Sequence, residues 1–274
     1  MAKIIDVHTH AFPDDVAARA VERLEATCPI TTVAEATVTS LLKSMDAAGV
    51  AVSVICAIAT KPEQNEGILS WCEAIRCDRI EPFPSVHPRT ARAGEWIERI
   101  VAEGFRGIKL HAMYQDFIVD DAAMDEIYAA AEALGLVIEF HAGRDFGFPM
   151  DDDRASPARM ARVAGRFGRL KMICSHMGGW RMWDESQEHL VGRADVYFET
   201  SFSLGELGPA RAAEMIRRHG VERVLFGTDW PWARQAEDVE RLRGLPLEER
   251  EIQQIAWSNA AKLLGLSQEP SRCR

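Results

Sequence analysis

The chain has 274 residues, 47% hydrophobic and 27% charged, with a net charge of -10. That length suits one large core, and an acidic chain repels phosphate backbones, which argues against nucleic-acid binding. No apolar run reaches the ~18 residues a membrane span needs, and residues 1–6 carry neither a basic region nor an apolar signal core, so a cytoplasmic protein is expected.

Strand-like and helix-like segments alternate from end to end. The first strand is expected over residues 3–8, followed by a loop and one or two helices; the clearest, residues 39–48, is stopped by Gly49. Strand two, residues 51–58, is almost continuously apolar, as a parallel strand covered on both faces would be. A helix follows near 66–76. Strand three, residues 80–86, is made irregular by Pro82 and Pro84. After a helix near 91–102 comes strand four, residues 105–111, then a helix near 122–133 that ends before Gly135. Strand five closes at His141, and a polar loop leads to a helix near 157–166. Strand six closes at His176, strand seven covers 195–200, and a helix spans about 205–219. Strand eight closes at Asp229, and helices near 236–243 and 247–264 end the pattern. Residues 267–274 read as a frayed end.

Eight strands alternating with helices argue for right-handed βαβ units closed into a (β/α)8 TIM barrel, a single domain over residues 1–274. A doubly wound open sheet is the runner-up, but it often has a glycine-rich turn after strand one. Here that position holds His8-Thr9-His10. The six cysteines form no C-x-x-C pair and read as reduced thiols.

A parallel barrel gathers its strand C-termini on one side, and that is where the chemistry-bearing residues fall. His8 and His10 are two apart on a strand, so both project to one face with Asp6. Two imidazoles at that spacing can grip one ion; a polar strand end satisfied by its neighbours is the competing reading. His141 shares its face with Glu139, a candidate partner for fixing an imidazole tautomer. Asp229 shares its face with Gly227, which leaves space below it; it can ligate a metal and take a proton from bound water. His176 can be a ligand or an acid–base group beside the ion. Lys109 and His111 share one face of strand four, where the lysine could meet a substrate carboxylate or be carboxylated and bridge two metals. Arg144, Arg181, Trp180, Trp230 and Trp232 sit in loops after strands five, six and eight. Arginines suit carboxylate recognition and tryptophans can wall a flat substrate, although a surface ion pair competes for each arginine. His87, His189 and His219 are expected to be unrelated to the site.

Asp6-Val7-His8-Thr9-His10, Gly107-Ile108-Lys109-Leu110-His111, Ile138-Glu139-Phe140-His141-Ala142-Gly143, Cys174-Ser175-His176-Met177-Gly178-Gly179 and Leu225-Phe226-Gly227-Thr228-Asp229-Trp230-Pro231 together make a pattern. It resembles the amidohydrolase superfamily, and within it the amidohydrolase-2 branch of TIM-barrel metal-dependent hydrolases and decarboxylases. The resemblance implies a divalent ion, usually zinc, on His8, His10, His141 and Asp229. It also implies His176 beside the metal as a catalytic or substrate-polarising group. Lys109 matches the position of a carboxylated lysine in two-metal members; one ion is the preferred expectation. A homodimer is a family expectation only.

The leading functional expectation is a hydrolase. Metal-activated water, with Asp229 as proton acceptor and His176 stabilising the oxyanion, would attack a small carboxylate-bearing amide, lactone or ester. The alternative is a carbon–carbon lyase that decarboxylates an aromatic or unsaturated acid, with Asp229 or His176 delivering a proton to carbon. Imidazole and carboxylate donors accept zinc, manganese and iron alike.

Overall fold

The computed structural model describes residues 3–266. Eight strands are present among them: β1 (Ile5–Thr9), β2 (Val52–Cys56), β3 (Ile80–Phe83), β4 (Gly107–Leu110), β5 (Val137–Phe140), β6 (Lys171–Cys174), β7 (Val196–Glu199) and β8 (Val224–Leu225). Helical segments separate them in sequence throughout, as the periodicity predicts. The expectation for residues 267–274 lies outside the described residues. No helix among the described residues is long and apolar enough to cross a membrane.

The chain divides into two compact units. The first takes the residues up to Ile55, Arg76–Glu81 and those from Glu199 onward; the second takes Cys56–Ile75 and Pro82–Phe198.

In the first unit β1 pairs in parallel with β2, with Ile5 opposite Val52 and Asp6 opposite Ser53. Beyond β8 the chain continues beside β1: Val7 N donates to Phe226 O, and Asp229 N donates to His8 O. Sequence reading carries strand eight to Asp229, yet the regular ladder stops at Leu225. The reason is that two backbone donors of this stretch go to side chains. Gly227 N donates to Thr200 Oγ1 and Thr228 N donates to Asp6 Oδ1. The helix Val38–Ala48 shows how local sequence sets bounds here. Thr37 Oγ1 accepts from Ser40 N at its start, and Gly49, at φ 73°, closes it in the left-handed region. The expected helix over 247–264 is three pieces, Glu249–Gln253, a π turn Gln254–Ser258 and Asn259–Leu264.

In the second unit β4, β5 and β6 run parallel in that order, in unbroken register from Gly107↔Val137 to Phe140↔Cys174. β6 pairs with β7 from Met172↔Val196 to Cys174↔Phe198. Pro84, just past β3, accepts from Lys109 N and so sits beside β4. Both faces of these strands are buried: Ile108, Ile138, Met172 and Phe198 are fully covered, and so are Lys109 and Glu139. Two-sided burial explains why the strands read as apolar runs broken by a few polar residues.

Candidate metal centre

In the first unit β1 carries Asp6 and His8 and leads into His10; its register against β2 shifts between Asp6 and Thr9, and His8 and His10 are brought together, Nε2 to Nε2, at 3.1 Å. All three are buried. Glu199, at the end of β7, accepts from His8 Nδ1 at 3.1 Å. It also accepts from Ser201 N and Ser201 Oγ, both at 2.7 Å. A carboxylate acceptor on Nδ1 places the proton there, and His8 Nε2 then presents a lone pair. That lone pair lies 3.1 Å from His10 Nε2 and 3.7 Å from Asp229 Oδ1, while His10 Nε2 lies 3.1 Å from Asp229 Oδ1.

Asp229 reaches this point through a backbone at φ 64°, the left-handed region that aspartate tolerates better than most residues. Its N–H is tied to His8 O, so the turn is fixed to the strand that carries the two histidines. Gly227 is required by close approach: a Cβ there would lie 2.1 Å from Glu199 Oε2 and 3.1 Å from His8 Cβ. Asp6 anchors the base of the group. It accepts from His8 N, Thr228 N, Thr228 Oγ1 and Gln235 Nε2. Burial pushes its carboxyl up to about 8 against those hydrogen bonds. Trp230 is packed in the interior at 1% exposure, whereas Trp232 sets its ring edge-on to His10 at 5.4 Å.

These donors fit a divalent ion. Two imidazole nitrogens and a carboxylate oxygen face one another at 3.1–3.7 Å. Donors about 2.1 Å from a tetrahedral ion stand roughly 3.4 Å apart, and two nitrogens this close need a proton or a cation between them.

The second unit gathers another group. His141 follows β5, and its Nε2 donates to Arg144 O at 2.9 Å. That bond leaves Nδ1 toward His176 Nε2, 3.2 Å away. Burial, helped by the neighbouring His111 charge, lowers His141 to about 3, so it is neutral in the physiological range. His176 itself sits at φ 59°, with its carbonyl held by Trp183 Nε1. His111 stacks on His141 at 4.1 Å and 18°, and its Nε2 lies 3.3 Å from Asp145 Oδ2. Burial would raise Asp145, but the His111 hydrogen bond and the charges of His111 and His141 outweigh it. The carboxyl is held below the usual range.

Several residues expected at the site also have partners within the fold. Lys109 is fully buried, its Nζ 3.2 Å from both Glu139 Oε1 and Ser175 Oγ. Glu139 also accepts from Cys56 Sγ at 3.5 Å. The ammonium is thus held as one half of an internal ion pair. Trp180 is buried against Phe146, and the Arg181 guanidinium lies over both rings, 4.4 Å from Trp180 and 4.8 Å from Phe146. Arg144 contributes its backbone: its N–H donates to Trp180 O and its carbonyl holds His141. Gly143 makes this crossing possible, since a Cβ there would meet Trp180 N at 2.2 Å. Sequence reading missed Glu199, Ser201 and Asp145. Glu199 carried a usable signal, an acid closing an apolar strand as His141 and Asp229 do; Asp145 lies in a loop and carried none.

Comparison with known proteins extends this picture. The amidohydrolase family model matches residues 5–266. A gamma-resorcylate decarboxylase from Polaromonas sp. is 26% identical over 118 residues, which are 37% of this chain and 36% of that protein. The match therefore spans about a third of that curated relative. Among solved structures, an uncharacterized TIM-barrel protein from Bordetella bronchiseptica superposes with a TM-score of 0.77 at 22% identity, over 96% of this chain and 99% of that one. A dihydroxybenzoic acid decarboxylase from Polaromonas sp. JS666, with bound manganese and the inhibitor 2-nitroresorcinol, superposes with a TM-score of 0.72 at 15% identity, over 98% of each chain. At these identities the structural likenesses carry the fold, a parallel-stranded α/β TIM barrel. By the match over nearly its whole length, the chain belongs to the amidohydrolase family, in its amidohydrolase-2 branch.

Proposed function

We propose that the protein is a divalent-metal-dependent lyase that removes the carboxylate of a hydroxy-substituted aromatic acid without oxidation. The observation that carries this reading is the triad His8, His10 and Asp229, three facing donor atoms in a chain of this family. The named activities of the relatives, gamma-resorcylate and dihydroxybenzoic acid decarboxylation, support carbon–carbon cleavage over attack of water on an amide, lactone or ester. Residues 1–274 would serve as one catalytic domain.

His8, His10 and Asp229 are assigned as metal ligands, with His141 as the fourth, following the resemblance. Manganese in one relative supports a hard or borderline ion and leaves zinc as one choice among several. When bound, the ion supplies positive charge that holds substrate oxygens and offsets the charge developing on them. The remaining work is done by side chains. Asp229, as the acid, gives a proton to the ring carbon that bears the carboxylate. The bond from that carbon to the carboxylate then breaks, its electron pair returns to the ring, and carbon dioxide leaves. Water reprotonates Asp229. His176 orients a substrate oxygen, and Glu199 holds His8 in the tautomer that bares Nε2. Arg144, Arg181 and His111 are assigned to the substrate; Lys109, Trp180 and Trp230 are assigned to packing because of their burial.

The test is incubation of manganese- or zinc-loaded protein with a panel of hydroxybenzoates, following bicarbonate and the product phenol. Equal release of both supports the reading. Hydrolysis of amides or lactones with no bicarbonate from any hydroxybenzoate rejects it.

A further inference from the structure

Gln115 lies in the turn that follows β4 and is fully buried. Its N–H donates to His111 O at 3.0 Å and closes the turn, and Asp116 leaves it at φ 53°. The side chain folds back on the same turn, where Oε1 accepts from His111 N at 2.8 Å. The other end of the amide serves two more segments. Nε2 donates to Ala59 O at 3.1 Å, Ser85 Oγ at 3.1 Å and Val86 O at 3.2 Å. One side chain thus joins the segments that follow β2, β3 and β4. Ser85 extends the link, because its Oγ donates to Lys109 O at 2.9 Å. These partners call for a carboxamide: a backbone N–H needs an acceptor and two carbonyls need donors. Glutamate would set a carboxylate oxygen against Ala59 O and Val86 O. Leucine or methionine would leave the buried His111 N–H without its acceptor.

We propose that Gln115 is a positioning residue, which fixes the backbone of His111 so that its ring meets the substrate in one orientation. The ring itself is held by its neighbours: it stacks on His141 at 4.1 Å, Tyr114 stands edge-on to it at 4.6 Å, and its Nε2 lies 3.3 Å from Asp145 Oδ2. Those contacts set the plane of the ring, and Gln115 sets where the backbone presents it. In this role Gln115 touches no substrate; it acts through His111 and through the register of three loops. Loss of such a support costs substrate affinity more than the chemical step, since His111 holds the substrate in ground state and transition state alike. The use of His111 toward the substrate rests on the functional reading above; the hub that holds His111 does not.

The experiment uses the full chain loaded with manganese, as parent, Gln115→Met and Gln115→Glu. Melting curves establish that each variant is folded, and chelator competition establishes that its metal affinity is that of the parent. With the hydroxybenzoate that the parent turns over fastest, Gln115→Met should raise KM about 10–100-fold and leave kcat nearly unchanged. Its His111 amide should exchange hydrogen at least about tenfold faster. Gln115→Glu keeps the acceptor for His111 N and loses the donors, so KM should rise while the His111 amide keeps its protection; this variant decides the matter if Gln115→Met does not fold. A parent-like KM in either folded variant overturns the proposal. So does a fall in kcat at constant KM, the sign of a smaller folded fraction. A parent that decarboxylates no hydroxybenzoate defeats the functional reading instead, and amide exchange then decides the hub: unchanged protection of His111 in Gln115→Met rejects it.

Discussion

Glu199 decides which nitrogen of His8 is bare, and so whether β1 can offer two lone pairs at one point. Replacing it by glutamine weakens the acceptor on His8 Nδ1 and removes a charge that favours the bound imidazole. The expected result for Glu199→Gln is a loss of metal affinity of about 10–100-fold, measured by competition with a chelator. Affinity equal to that of the parent would show that His8 needs no such partner. Asp229 has two roles that substitution separates. Asp229→Asn keeps an oxygen for the ion but no acid, so turnover should fall by roughly 10²–10⁴-fold while part of the metal is retained. Undiminished turnover would remove Asp229 as the proton carrier. Lys109 makes the opposite case. Its ion pair with Glu139 is buried on both sides. Lys109→Met leaves Glu139 uncompensated and should cost about 3–5 kcal/mol of stability in denaturant unfolding. A folded, fully stable variant with a raised KM would return Lys109 to the substrate.

Strand ends position these side chains because the backbone there leaves the ladder. The segment after β8 gives its N–H groups to Thr200 Oγ1 and Asp6 Oδ1, and the freed chain turns at Asp229. Gly227 lets Glu199 pass under that turn. Gly227→Ala puts a Cβ inside the carboxylate's space, so about 1–3 kcal/mol should be lost, together with metal affinity, because Glu199 must move off His8. Thermal unfolding and metal titration on the same variant check both, and a neutral Gly227→Ala would show that the turn has slack. Gly143 and Trp180 make the equivalent crossing after β5 and β6.

Over the whole molecule, buried carboxyls make stability depend on pH. Asp238, in the helix Gln235–Arg243, is pushed up to about 6 by burial, against its hydrogen bond and ion pair with Arg241 and with Glu237 and Glu199 adding to the rise. Because the folded pKa lies above the unfolded one, the fold prefers the protonated acid. The contribution is complete below the unfolded value near 4 and is lost as pH rises through 6. At most about 3 kcal/mol is involved. Denaturant midpoints should therefore fall between pH 4 and pH 6.5 in the parent protein more than in Asp238→Asn. Equal slopes in the two proteins would contradict the assignment.

Sequence alone determined the alternation of eight strands and intervening helices, since period-two and period-3.6 patterns are local. It also determined the candidates at strand ends, because His8, His10, His141, His176 and Asp229 each close an apolar run. What it left open was partnership. Lys109 and Arg181 are both cations near strand ends, yet one is matched to Glu139 and the other lies on two aromatic rings. Glu199 is 191 positions from the histidine it orients, and Asp145 comes from a loop with no periodicity of its own. Only the tertiary structure decided these, because the energy of a buried charge depends on what the fold brings against it, and that contact has no local signature in the chain.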